Sequence, residues 1–180
     1  MIDSLASPVE DRMPTHVSTF VDALVFARGY TIELLDTIPA VDWFTMPAGC
    51  PSHVAWQVGH LAMAEARLVV ERIGGRQVVD EGILPAEYLK LYGRQSIPDP
   101  NAGNHPSPTE LRGVFDHVHE VALPILRETL DADLDTVVPG SPHRFCRTKA
   151  DYARWVSHHE FLHSGQIGLI RRLMGNRFVW

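Results

Sequence analysis

Apolar residues recur at helical spacing in four stretches of the chain, and nowhere do they alternate with polar ones over the length of a strand. The first stretch runs from about Pro14 to Ile38, with Val17, Phe20, Val21, Leu24, Leu34, Leu35 and Ile38 on one face, Gly29 weakening its middle and Pro39 closing it. A turn-rich segment around Trp43, Phe44, Pro47 and Gly49 leads to Ser52, which predicts an N-cap, and to a second helix ending at Gly74-Gly75. From Val54 to Glu65 that helix is nearly apolar all round, as expected where a helix is packed on several sides. The third opens with Ser107-Pro108-Thr109-Glu110, a capping box with proline at the first helical position, and carries Leu111, Val114, Phe115, Val118, Val121 and Ile125; Pro124 predicts a bend or an early end. The fourth opens at Thr148-Lys149-Ala150-Asp151 and stops at Gly175, after Arg171-Arg172.

Four long amphipathic segments without strands predict an all-α four-helix bundle, one domain over residues 1–180. The connections are unequal. A long crossover from Gly75 to Pro106 separates the second and third helices and contains a short helix at 85–92. A loop of that length is either a plain connection or a mobile rim over a ligand site, and in the second case Tyr88 and Tyr92, four apart, are its ligand-facing groups.

Composition narrows the setting. A chain of 180 residues that is 45% hydrophobic buries a core without disulfides or a structural metal, so any metal is available for function. Cys50 and Cys146 are isolated and form no C-x-x-C pair, which fits a reducing compartment. No run of 18 apolar residues occurs, and the first residues lack the basic and apolar regions of a signal peptide; the expectation is a cytoplasmic protein. A net charge of -6 without a Lys/Arg block disfavours nucleic acid and anionic membranes as partners, leaving small molecules or a second copy of the chain.

The chemistry concentrates in the fourth helix, at His159-x-x-x-His163. Residues four apart lie about 40° apart in azimuth and roughly 6 Å along the axis, so both imidazoles reach one ion. With 10 histidines in the chain, about half such a pair is expected by chance, so spacing alone is weak. Position adds weight: Tyr152, Trp155, Val156, His163, Gln166, Ile170, Leu173 and Met174 all fall within about 60° of His159, which turns the pair toward the core. Two buried imidazoles need a hydrogen-bond network or a cation. His60, in the second helix, is the best third ligand, since small Ala64 on its face permits close helix approach. Three protein ligands leave a coordination position open, as catalytic sites do, whereas structural sites usually take four. His53, two turns before His60, and His158, about 100° from His159, are expected beside the site or exposed. His117 and His119 border the apolar stripe of the third helix with Glu120 solvated beside them, and His105 lies in the crossover without a role.

Trp56-Gln57-x-x-His60-Leu61-Ala62-x-x-Glu65, followed about a hundred residues later by His159-Glu160-x-x-His163-x-Gly165-Gln166-Ile167, resembles the DinB/YfiT-like metalloprotein superfamily. The resemblance runs in helix order over nearly the whole chain, including the proline-closed first helix and the Leu173-Met174-Gly175 ending. It implies a bundle holding one divalent ion, nickel or zinc, on His60, His159 and His163, and a homodimer. It further implies a metal-dependent thiol S-transferase acting on a small electrophile with a low-molecular-weight thiol such as bacillithiol, mycothiol or glutathione. The same site, by activating water, suits a hydrolase, and a third reading is a non-catalytic dimeric metal-binding scaffold. Gln166, one turn after His163 and near the centre of the core face, is expected to sit behind the ligating histidines and support them. Glu65 and Glu160 lie about 140° and 100° round from the histidines of their helices and receive no catalytic role. Gly165 is expected to serve close packing, and Phe161, about 160° from His159, to meet a neighbouring segment or a second subunit.

Overall fold

The computed structural model describes residues 16–140 and 143–179. Four long helices form the bundle, α1 (His16–Asp36), α2 (Val54–Glu65), α4 (Pro108–Glu128) and α5 (Lys149–Leu173), with the five-residue α3 (Glu87–Leu91) in the crossover. The expected start at Pro14 lies outside the described residues. Each long helix packs on two others: α1 on α5 and α4, α2 on α4 and α5. The cyclic order is therefore α1–α5–α2–α4, with α1 and α2 on one diagonal. No strand forms among the described residues; an isolated bridge pairs Val137 with Thr148. No described helix is long and apolar enough to cross a membrane.

Helix α1 buries Val17, Val21, Leu24, Arg28, Thr31 and Leu35. Their spacing alternates four and three, the stripe of a bundle seam. Phe20 is only partly buried at its border, and the helix passes through exposed Gly29 unbroken. Helix α2 is capped by His53 rather than Ser52: the His53 Nδ1 accepts from the Trp56 backbone N–H at 3.1 Å, while the Ser52 hydroxyl accepts from the Gln57 side chain at 2.8 Å. Beyond Glu65 the same helix continues in a wider π-type winding over Ala66–Glu71 before Gly75, at φ +71°, turns the chain. Both predicted capping boxes form, Ser107 with Glu110 and Thr148 with Asp151. Pro124 does not end α4. It sits on the exposed side, where the carbonyl left without its helical partner faces water.

The crossover packs down on the bundle. Val78, Ile83, Leu84, Tyr88 and Tyr92 are all buried, so the two tyrosines expected to face a ligand are core residues instead. Tyr92 stacks on His105 and shares a hydrogen bond with it (3.1 Å), and the His105 Nε2 reaches the Asp99 carbonyl at 2.9 Å. His105, expected to have no role, ties the end of this segment back to Tyr92 and Asp99. No disulfide links the cysteines; burial, with the Asp151 charge, pushes the Cys146 thiol up to about 12.

Candidate metal centre

His60 from α2 and His159 and His163 from α5 converge where these two helices touch. One ring nitrogen from each lies within 4.8 Å of the others, and the ring centroids are 4.5–5.1 Å apart. His60 and His163 are buried, and His159 is the half-exposed member.

Two hydrogen bonds settle which nitrogen each buried ring presents. The His60 Nδ1–H donates to the Tyr92 main-chain carbonyl at 2.7 Å, and the His163 Nδ1–H donates to the Gln57 amide oxygen at 2.6 Å. Gln57 is oriented for this because its amide nitrogen donates to Ser52. Both rings therefore turn their Nε2 lone pairs inward, and the His60 Nε2 lies 3.3 Å from the His159 Nε2. His159 can donate to one of those lone pairs but not to both. Burial keeps all three rings neutral: it lowers His60, lowers His159 to about 3 with help from His60 and His143, and lowers His163 to about 2 with help from the other two. Neutral imidazoles with converging lone pairs and oriented outer nitrogens fit a divalent cation, and the nitrogen-only donor set leaves a coordination position open.

The crossover reaches this site through its backbone. The Tyr92 ring lies so close over Gly59 that a Cβ there would come within 2.5–2.7 Å of three ring carbons, so only glycine admits Tyr92 at the depth its carbonyl needs to meet His60. Trp56 stacks on His60 (4.8 Å, 8° between planes) and donates its indole N–H to Ser96 at 2.9 Å.

Gln166, expected beside the ligands, is exposed. The buried face of α5, which includes Val156, Glu160, His163, Ile167 and Ile170, is centred about 90° round from His159, so His159 marks an edge and Gln166 lies beyond it. The same offset leaves Gly165 exposed with open space around it rather than in a helix contact. The amide that supports the triad is Gln57, which lies about 60° from His60 on α2. His53 is buried, and His158 and His117 are exposed.

Beside the triad lies a charge cluster that no motif announced. Arg28 of α1 pairs with Glu160 of α5 (Nε–Oε1 2.8 Å) and Glu65 of α2 (2.5 Å), and donates to the Phe115 carbonyl of α4 at 3.0 Å. One side chain thus touches all three other long helices, its guanidinium 3.4 Å from the centre of the Phe115 ring. Glu65 also accepts from the His119 Nδ1–H at 2.8 Å. Burial pushes Glu65 up, but Arg28 and His119 together hold it below its ordinary value; at Glu160 burial prevails over Arg28, with the Glu65 charge adding to the rise. Both carboxylates are committed to Arg28.

The DinB superfamily model matches residues 23–167, four-fifths of the chain, from within α1 to within α5. The chain belongs to the DinB superfamily. A similar fold is found in the crystal structure of a conserved protein from Enterococcus faecalis, 17% identical, covering 91% of this chain and 100% of that one at a TM-score of 0.62; at that identity the likeness is one of fold. A search of curated proteins returned no match.

Proposed function

We propose that this DinB protein binds one divalent ion, nickel or zinc, through the Nε2 atoms of His60, His159 and His163, and that it is a metal-dependent thiol S-transferase acting on a small electrophile. The observation that carries the metal reading is the pair of Nδ1 hydrogen bonds, to the Tyr92 carbonyl and the Gln57 amide oxygen, which aim two Nε2 lone pairs at each other's neighbourhood with a single possible donor between them. The ion, when bound, supplies Lewis acidity that converts a coordinated thiol of ordinary pKa near 8.5 into a thiolate at neutral pH. The chain's own residues hold and orient that centre: Gln57 and Tyr92 fix the rings, Trp56 shields His60, and half-exposed His159 leaves the approach for small molecules. A reducing cytoplasm, where thiols are abundant, suits such an activity.

A homodimer is proposed alongside it. Phe26 is 72% exposed and lies 6.0 Å from Phe161, which also meets Tyr30 at 6.2 Å, and Val25, Leu162 and Leu169 extend the apolar area over the α1 and α5 surface. Light scattering on the purified chain tests this, a monomer at all concentrations overturning it.

Elemental analysis of freshly purified protein, coupled to a screen of thiols against electrophiles with and without chelator, tests the main reading. Turnover is expected to need thiol, electrophile and metal together. Ester or amide hydrolysis at full rate without thiol, lost in His60→Ala, replaces the transferase with a hydrolase; bound metal that neither exchanges ligands nor supports turnover leaves a scaffold.

A further inference from the structure

Solvent reaches the triad along His159, because His60 and His163 are buried and His159 is half-exposed. That approach is lined by rings. Trp155, one turn before His159 on α5, is 6.1 Å from it; His143 and Phe145, from the connection between α4 and α5, lie 5.6 Å and 5.2 Å from Trp155. Trp56 closes the far side of His60. Phe145, Trp155, His159, His60 and Trp56 form an unbroken row of ring contacts that starts at a side chain 59% exposed, passes through buried His60 and ends at the partly buried Trp56. The loop before α5 holds Phe145 against Trp155.

We infer that this row is a recognition slot for a planar aromatic group carried by the substrate that reaches the metal's open side. The inference rests on the metal reading above and specifies the kind of molecule the site takes. The ring pairs from Phe145 to His159 are inclined by 41–56°, between the stacked and edge-to-face arrangements, so the row offers both edges and faces for a further ring to meet. An aromatic lining also suits a quaternary cation. Charge decides against one: the Arg144 guanidinium sits 5.4 Å from the Phe145 ring centre, and Arg94 is close enough for its charge to depress His143. A cationic ligand meets repulsion there, whereas a neutral or anionic aromatic one does not.

Two metal-ligating probes that differ in the ring separate the slot from the centre itself. Benzohydroxamate and acetohydroxamate present the same chelating head, one with a phenyl group and one with a methyl. Their dissociation constants are measured by calorimetry on the zinc-loaded full chain, after equilibrium dialysis has established that zinc is retained. Benzohydroxamate is expected to bind at least about tenfold more tightly, and the ratio to fall to about twofold in Phe145→Ala and in Trp155→Leu while acetohydroxamate binding stays within about twofold of wild type. Equal affinities in wild type, or a ratio unmoved by both substitutions, with zinc retained, overturns the slot and leaves the metal centre standing. Zinc lost on dialysis overturns the metal centre and the slot with it.

Discussion

The Gln57 side-chain oxygen lies 2.6 Å from the His163 Nδ1, and the Gln57 side-chain nitrogen is held by Ser52, so a hydroxyl just outside α2 sets the tautomer of a ring on α5. Gln57→Leu removes the acceptor and leaves a buried N–H unmet. Metal affinity, read by competition with a chromophoric chelator, is expected to fall about 10–100-fold while the far-UV dichroism stays that of the wild type. Unchanged affinity would show that His163 does not depend on this bond.

Arg28 holds two buried carboxylates at the centre of the bundle, and removing one partner of such a set costs more than the set contributes. Arg28→Met is expected to lower the free energy of unfolding by about 3–5 kcal/mol in urea titration. Adding Glu65→Gln and Glu160→Gln in the same chain should recover more than half of that loss, because the penalty belongs to the unpaired charges. No recovery would place the loss in the stacking of Arg28 on Phe115.

Gly59→Ala puts a methyl group into the Tyr92 ring. Overpacking of this kind costs about 1–3 kcal/mol, and here it also lifts the carbonyl that orients His60. Loss of stability and weaker metal binding are expected together, and Tyr92→Leu in the same chain should relieve the first, since the two changes share one contact.

Acid should destabilise the fold through His53. Burial, with the charge of His105, lowers this side chain from an ordinary value near 6.5 to about 4. Below pH 6.5 the unfolded chain therefore takes up a proton that the folded chain refuses until about pH 4, so stability is constant in this respect above 6.5 and falls as pH drops through that window. His53→Asn keeps an acceptor for the Trp56 N–H and removes the titration. Between pH 7.5 and 5.0, with chelator present, wild type is expected to lose about 2 kcal/mol more than the variant. Equal losses would show that His53 does not titrate in this way.

The helices were legible because their apolar periodicity and capping boxes are local signals, and the three histidines because they sit inside those stripes. The supporting groups were hidden for different reasons. Gln57 stands in the Trp56-Gln57-x-x-His60 segment, but its partner is about a hundred residues away. The Tyr92 carbonyl has no sequence signature at all. Arg28 was readable in principle: a charged residue midway between Leu24 and Thr31 in an alternating four-and-three stripe is a core position, and Glu160 occupies the equivalent place between Val156 and His163. Taking His159 as the centre of the α5 face, when it is the edge, moved Glu160 outward and Gln166 inward.

The bond from His60 to residue 92 is made by the main chain, and that shapes how the site responds to change. No substitution at position 92 deletes a carbonyl, so a library that randomises residue 92 alone leaves the acceptor itself in the chain. Removing or inserting one residue between Gly75 and Tyr92 shifts the register of the whole segment and takes the carbonyl away from the ring. Within the crossover this support is thus less open to side-chain replacement than to a change of length, and a deletion scan of the crossover will find a dependence that an alanine scan of the same residues passes over.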